Sequence, residues 1–382
     1  MGMKENTNCD KEAAYGYWLA NVKGLGNRMR CMLTDYAGTA RAVYEMSEQE
    51  LKELIPMARV EKVIASKRDW ELEKEYRTLS IKGMDFVGWK QSAYPQKLTK
   101  IADPPFALYY YGGLPEESLP SVALIGARQC SEYGRYMAKV CGSELAKAGV
   151  SVVSGMARGI DGIGQYAALL EGGKSYAVLG CGIDICYPSE NRYVYEQMKK
   201  KGGIISEYNP GTQPQPQLFP PRNRIISGLA DVIIIVEAKE KSGTLITADM
   251  ALEQGKEVYV IPGRVTDPLS EGCNRLIKQG AGIFSTVSEL LEETGLCQKK
   301  SGGGGIRLEK GEESTEGRRS EEELDETKRG LLRHLDFYPK NIEQLHMESG
   351  IDYRELVCEL MHLCVAGKAR QVSAGQYQKE GL

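Results

Sequence analysis

The chain has 382 residues, 42% of them apolar and 26% charged, with a formal net charge of −3. That length exceeds one ordinary core and calls for two or three domains. The balance of charge excludes a globally basic nucleic-acid binder, so any polyanion site must be a local basic patch.

No apolar run approaches the ~18 residues that a membrane span needs. The polar stretch Met1–Asp10 lacks the apolar core of a signal peptide, so a cytoplasmic protein with no membrane contact is expected. The ten cysteines are scattered without a CxxC pair, and the three histidines (His334, His346, His362) stand near the C-terminus. That pattern predicts reduced cysteines and neither a zinc site nor another cofactor.

In chain order, Lys11–Leu79 places apolar residues at helical spacing through Ala13–Leu19, Met29–Tyr36 and Leu51–Ile64. This predicts a helical domain over residues 1–82. The interruption Val22-Lys-Gly-Leu-Gly-Asn-Arg28 reads either as an ordinary helix–helix turn or as one that presents backbone N–H groups to a phosphate. Residues Gly83–Gly113 read as a connector, with turn signals at Tyr94-Pro95 and Asp103-Pro104-Pro105 and a strand-like run at Phe106–Tyr111.

From Ser121 onward, short β-rich runs alternate with helical ones. Strands are expected at Val122–Ile125, Ser151–Ser154, Ser175–Leu179, Gly203–Ser206, Val232–Val236 and Val258–Ile261. Helices are expected at Tyr133–Ala148, Ile160–Glu171, Asn191–Lys201, Arg224–Leu229 and Thr244–Gln254. Apolar strands separated by helices predict an α/β domain with a doubly wound parallel sheet covered on both faces. With the connector it spans 83–296. Residues 297–325, with Ser301-Gly-Gly-Gly-Gly305 and many Glu and Arg, read as a flexible linker. In 326–382, helices at Glu326–Leu335, Ile342–Ser349 and Tyr353–Ala366 with a hairpin in Lys368–Gln378 predict a winged helix-turn-helix.

The chemistry concentrates after the strands. Gly126-Ala-Arg-Gln-Cys-Ser-Glu-Tyr-Gly134 follows the first parallel strand, where a glycine lets the backbone turn sharply and a helix N-terminus offers free N–H groups to an anion. Arg128 and Ser131 project from this loop. Arg128 meets either a phosphate, which its fork of donors suits, or a neighbouring carboxylate. The second strand ends in Ser154-Gly155-Met-Ala-Arg-Gly159-Ile-Asp161, the third in Leu179-Gly-Cys-Gly-Ile-Asp184. Asp161 and Asp184 are either acids or acceptors of loop N–H groups. Ligands bind parallel sheets at the carboxyl ends of strands, so converging Gly-rich loops mark a site.

In Phe219-Pro-Pro-Arg-Asn-Arg224, an aromatic stands beside Arg222, Asn223 and Arg224. Either Phe219 stacks an unpaired base while the arginines neutralise phosphate, or the ring is core and the arginines are ion-paired. Lys241, Ser242, Gly243 and Thr244 form a strand-to-helix phosphate cradle without the spacing of a Walker A loop. A further polar loop and helix start come from Pro262-Gly263 and Glu271–Gly280, including Asn274. No acidic pair suits a two-metal nuclease, and no histidine lies in the α/β segment for a triad. The expectation is a single-strand binder that does not cut.

The ordered motifs GARQCSEYG, SGMARGID, LGCGIDICYP with Asn191, SEYNPG, FPPRNRIISGL, KSGTLIT with VIPG, and GCNRLIKQGA resemble the DNA-processing protein A (DprA/Smf) family over roughly Ser121–Glu289. The resemblance implies an extended Rossmann fold flanked by a SAM-like helical domain and a C-terminal winged helix. It also implies a homodimer that binds single-stranded DNA, loads RecA recombinase onto incoming DNA in natural transformation, and helps displace single-strand-binding protein. It assigns phosphate contact to Arg128, borders the DNA groove with Phe219, Arg222, Asn223 and Arg224, and lines the same face with Lys241, Ser242 and Asn274. One departure is Gly164-Gln165, where the family usually has Ala-His. The alternative is a nucleotide phosphoribohydrolase of the lysine-decarboxylase-like type, whose glutamate falls here at Thr247.

Overall fold

A computed structural model describes residues 4–296 and 326–380. The expected linker 297–325 lies outside the described residues. The chain divides into two compact units, one built from residues up to 129 and from 138 to 296, the other from residues 130–137 with the C-terminal segment.

The first unit opens with six helices: α1 (Lys4–Asn21), α2 (Asn27–Ala37), α3 (Ala40–Glu45), α4 (Glu48–Leu54), α5 (Met57–Asp69) and α6 (Leu72–Ile81). Two of these helices are capped by side chains: Thr39 caps α3, and Ser47 with Glu50 forms a capping box on α4. Next come β1 (Asp85–Gly88), a one-turn helix α7 (Gln96–Thr99) and β2 (Ala107–Gly112). The α/β segment follows as β3 (Ser121–Ile125), α8 (Glu132–Lys147), β4 (Ser151–Ser154), α9 (Ile160–Leu170), β5 (Ser175–Val178), α10 (Arg192–Lys201) and β6 (Gly202–Ser206). It continues through α11 (Phe219–Leu229), β7 (Val232–Ile235), α12 (Gly243–Glu253), β8 (Glu257–Val260), α13 (Glu271–Lys278), β9 (Gly282–Ile283) and α14 (Val287–Glu293).

The sheet has nine strands in the order β1-β2-β6-β5-β4-β3-β7-β8-β9. Strands β3 to β9 pair in parallel, with Val122 opposite Val152 on one side and Val232 on the other. β1 and β2 extend the edge antiparallel, Tyr109 facing Ser206. The expected parallel sheet is therefore correct at its centre. The connector, read as one strand-like run, supplies a two-stranded antiparallel margin. β1 was not legible because its four residues carry too short an alternation.

Alternate residues of each strand feed opposite faces. Tyr176, Val178, Ile205, Ile233 and Ile235 pack with Ile225, Ile226 and Leu229 of α11 and Leu245, Ala248 and Ala251 of α12. Ala177, Leu179 and Ile204 join Val194, Tyr195 and Met198 of α10 and, in the same cluster, Tyr17, Trp18 and Leu19 of α1. Tyr17 meets Phe86 and Tyr109 edge-on at 5.5 and 6.1 Å. The expected boundary at residue 82 thus does not separate two cores: the N-terminal helices cover one end of the sheet and share its interior.

Within the second unit, helices Glu326–His334, Ile342–Ser349 and Tyr353–Val365 bury Leu331, Leu345, Leu356, Leu360 and Leu363. A three-stranded antiparallel sheet joins Lys340–Asn341, Gln376–Lys379 and Ala369–Ser373. Among the described residues, no helix is long and apolar enough to cross a membrane.

Candidate nucleic-acid interface

Chain connections leave β3 in one direction towards β4 and approach its other neighbour, β7, from far along the sequence. At such a switch point the loops leaving adjacent strands diverge and open a crevice at the carboxyl ends. A cleft of about 450 Å³ lies there, walled by Gly126–Gln129 after β3, by Phe219, Pro220, Arg222 and Asn223 at the start of α11, and by Lys239 with Ser242–Thr244 around the start of α12.

Arg128 is exposed and pairs with no carboxylate among the described residues; its guanidinium sits 5.6 Å from the ring centroid of Phe219. Phe219 is half-buried and stacks on Tyr187 at 5.5 Å with an interplanar angle of 27°. Gly180 makes room for that ring: a methyl group there would lie 2.7 Å from Phe219 Cδ1. Gly159, at φ +73°, is the corresponding allowance under Arg128, since a side chain there would meet the Arg128 carbonyl at 2.6 Å. Arg128 and a two-ring stack thus line the cleft together, the pairing that binds unpaired nucleotides by phosphate and base face.

The arginines of the FPPRNR segment divide. The proline-marked helix α11 starts at Phe219 rather than at Arg224 as expected, because proline fits the first turn, where N–H groups lack partners anyway. Residues two apart on a helix face opposite ways. Arg222 turns inward and is buried; its Nη1 donates to the carbonyls of Gly155, at 3.0 Å, and Val178. Burial pushes its pKa down to about 10, nearby Asp161 opposing and Arg128 reinforcing that shift. Its Nε is buried with no hydrogen-bond partner among the described residues, and the residue lines the cleft. Arg224 turns elsewhere: both terminal nitrogens reach Glu207 at 2.7 Å and Nε donates to the Asp103 carbonyl at 2.8 Å. That ion pair commits the side chain, and Arg224 is not among the residues lining the cleft. The ion-paired reading therefore holds for Arg224; Arg222 is buried on backbone carbonyls yet lines the cleft, as does Asn223.

Other expected residues serve the loops. Ser154 is buried and its hydroxyl donates to Leu124 at 2.6 Å. The Gly155 N–H donates to Asp161 at 3.2 Å. Burial pushes the Asp161 carboxyl up, opposed by Arg222, Ser154 and the N–H groups of Gly155 and Gly126. Asp184 accepts from the Gly211 N–H at 2.8 Å. Both acids are thus loop fasteners. Asn274 clasps Gly263, donating to its carbonyl at 3.1 Å, and lies off the cleft lining. Ser131 accepts from the Gly134 N–H at 3.0 Å and is also absent from the lining. Lys241 is exposed beyond the lining, whereas Ser242 stands at the N-cap position of α12 with a buried hydroxyl that has no hydrogen-bond partner among the described residues.

Gln165 explains the departure from Ala-His. It is fully buried, accepts from the Met156 N–H at 3.0 Å and donates to the Tyr176 carbonyl at 2.9 Å. Asn191 donates to the Met156 carbonyl at 2.9 Å. Together they hold Met156 at φ +52°, a conformation that costs a non-glycine residue about 1–3 kcal/mol. Tyr187 and Lys239 are among the lining residues that sequence reasoning missed; the Cys-Tyr-Pro signal after the third strand marked the first without a role. Among the described residues, no group of three or more His, Cys, Asp and Glu could hold a metal ion.

Residues 85–295 match the family described as DNA recombination-mediator protein A. The chain belongs to that family. The DNA processing protein DprA of Streptococcus pneumoniae is 42% identical over 200 residues, covering 52% of this chain and 71% of that protein. Protein Smf of Synechocystis is 28% identical over 390 residues, covering 95% and 98%. The solved structure of the pneumococcal DprA matches at a TM-score of 0.65 and 32% identity, covering 73% of this chain and 97% of that one. The fold and the DNA-processing, recombination-mediator family are therefore shared.

Proposed function

We propose that the cleft binds single-stranded DNA without cleaving it. The observation that carries this is Arg128, exposed and without a carboxylate partner among the described residues, lying over the Phe219 ring that stacks on Tyr187. An aromatic platform binds a base only where the base face is free, and a duplex hides those faces. The site residues in this reading are Arg128, Phe219, Asn223, Ser242 and Gly243, with Tyr187 and Lys239 added. Arg222, Ser154, Gly155 and Gly159 hold the loops in place.

Family membership supports the wider reading: a homodimeric cytoplasmic protein that loads RecA onto incoming single strands in natural transformation and helps displace single-strand-binding protein. The N-terminal helices are read as SAM-like. The three C-terminal helices with their small sheet are read as a winged helix. Its helix Tyr353–Val365 exposes Tyr353, Met361 and Val365 beside Glu355 and Glu359, which favours a protein partner over a DNA groove. Nothing specific favours a nucleotide hydrolase: Thr247 is buried, and its hydroxyl donates to the Gly243 carbonyl at 3.4 Å.

The test is a salt-titrated comparison of single- and double-stranded DNA binding, run beside a RecA-loading assay on strands coated with single-strand-binding protein. Tighter binding to single strands, weakening steeply with salt, is expected. Equal affinity for both forms, or release of free base from a nucleoside monophosphate, would overturn the reading.

A further inference from the structure

The turn between α1 and α2 is a second cationic feature, outside the cleft lining. Gly24 has φ +82°, a left-handed conformation that favours glycine. Leu25 is buried and anchors the turn from within, while Gly26 faces open space. Asn27 ties the turn down, donating to the Pro104 carbonyl and accepting from the Phe106 N–H at 2.7 Å. Gly24 and Gly26 are thus exposed on a fixed support, the Leu25 N–H between them being given to the Val22 carbonyl at 3.4 Å, and the uncapped start of the eleven-residue α2 follows.

Cations surround it. A methyl group at Gly24 would lie 2.5 Å from Arg59 Nη1 and 2.7 Å from Lys62 Nζ, so two heads from α5 rest against one glycine. Lys23 adjoins them, exposed, and Arg28 projects from the first turn of α2 at 86% exposure. Arg28 has a long contact with Asp103 at 3.8 Å; Lys23, Arg59 and Lys62 pair with no carboxylate among the described residues. Four like charges gathered around one long contact to a carboxylate, in a chain of net charge −3, mark a polyanion footprint.

We propose that this turn is a separate binding site for the phosphodiester backbone of duplex DNA, going beyond the single-strand cleft. Ammonium and guanidinium heads beside the uncapped start of α2 read phosphates and not bases, and a duplex displays its phosphates while hiding its base faces. The protein would then hold the duplex flank of a tailed molecule at the turn while the cleft holds the tail.

The experiment titrates the full chain and an Arg59→Glu/Lys62→Glu variant against a single strand, a blunt duplex and a single-strand-tailed duplex over a salt series. The variant is expected to bind both duplexes about tenfold more weakly, with a salt slope shallower by about 1.8 for two lost contacts, and the single strand within about twofold of wild type. No change on the tailed duplex, or equal weakening on all three, overturns the proposal. Should the variant melt early, lysine acetylation of the unaltered chain decides: the tailed duplex is expected to protect Lys23 and Lys62 and a single strand to leave them reactive. Equal reactivity with the tailed duplex overturns it. A wild type that binds duplex and no single strand would sink the cleft reading while leaving this one standing.

Discussion

Replacing Arg128 with alanine tests the cleft most directly. The side chain is exposed, holds no ion pair among the described residues, and touches the Phe219 ring at 5.6 Å. Truncation strands no buried partner, so stability should change by no more than about 0.5 kcal/mol. Binding is different. A hydrogen bond to a charged group contributes about 1.5–3 kcal/mol, which converts to a loss of roughly 10- to 150-fold in single-strand affinity. Loss of one phosphate contact should also flatten the plot of log affinity against log salt by about 0.7. Fluorescence anisotropy with a labelled homopolymer, at four or more salt concentrations, measures both; thermal melting checks the fold. Affinity unchanged within about twofold would remove Arg128 from the site. An affinity loss at unchanged salt slope would refute the phosphate contact and leave only support of the ring.

Three further outcomes follow from the same geometry. Arg222→Met leaves the Gly155 and Val178 carbonyls without their donor and buried Asp161 without its cation, so it should cost about 2–4 kcal/mol in urea unfolding; a fully stable variant that loses only DNA affinity would contradict the internal role. Gly180→Ala should push Phe219 off its seat and forfeit part of the ~1–3 kcal/mol that base stacking supplies, without altering the salt slope; wild-type affinity would refute the ring's part. Burial raises the Asp161 carboxyl above 3.8, so the folded chain holds that proton more tightly than the unfolded one. The stability of wild type relative to Asp161→Asn should therefore fall as pH rises from 3.8 through the raised folded value, then level off. A difference that stays flat with pH in urea titrations would show that Asp161 ionises normally.

Strand composition alone carried the centre of the fold. Runs such as Val232–Ile235 are β-branched and fully buried, and only a two-faced parallel sheet hides them, so their alternation with helices predicted the sheet and the loops at its carboxyl ends. The glycines of those loops pointed to close backbone approach, and Gly159 and Gly180 occur where a side chain would collide. Composition could not decide which arginine faces the cleft. Arg222 and Arg224 are two residues apart in one motif, yet the helical phase set by a start at Phe219 sends one to the Gly155 and Val178 carbonyls and the other to Glu207. The proline pair after Phe219 was the available signal, but the partners lie up to 121 residues away in sequence. Nor could local pattern foresee that helices before residue 82 share the sheet's core, because Tyr17 meets Tyr109 only after the chain has closed on itself. Periodicity reports which face of an element is apolar; what that face covers is set by long-range packing.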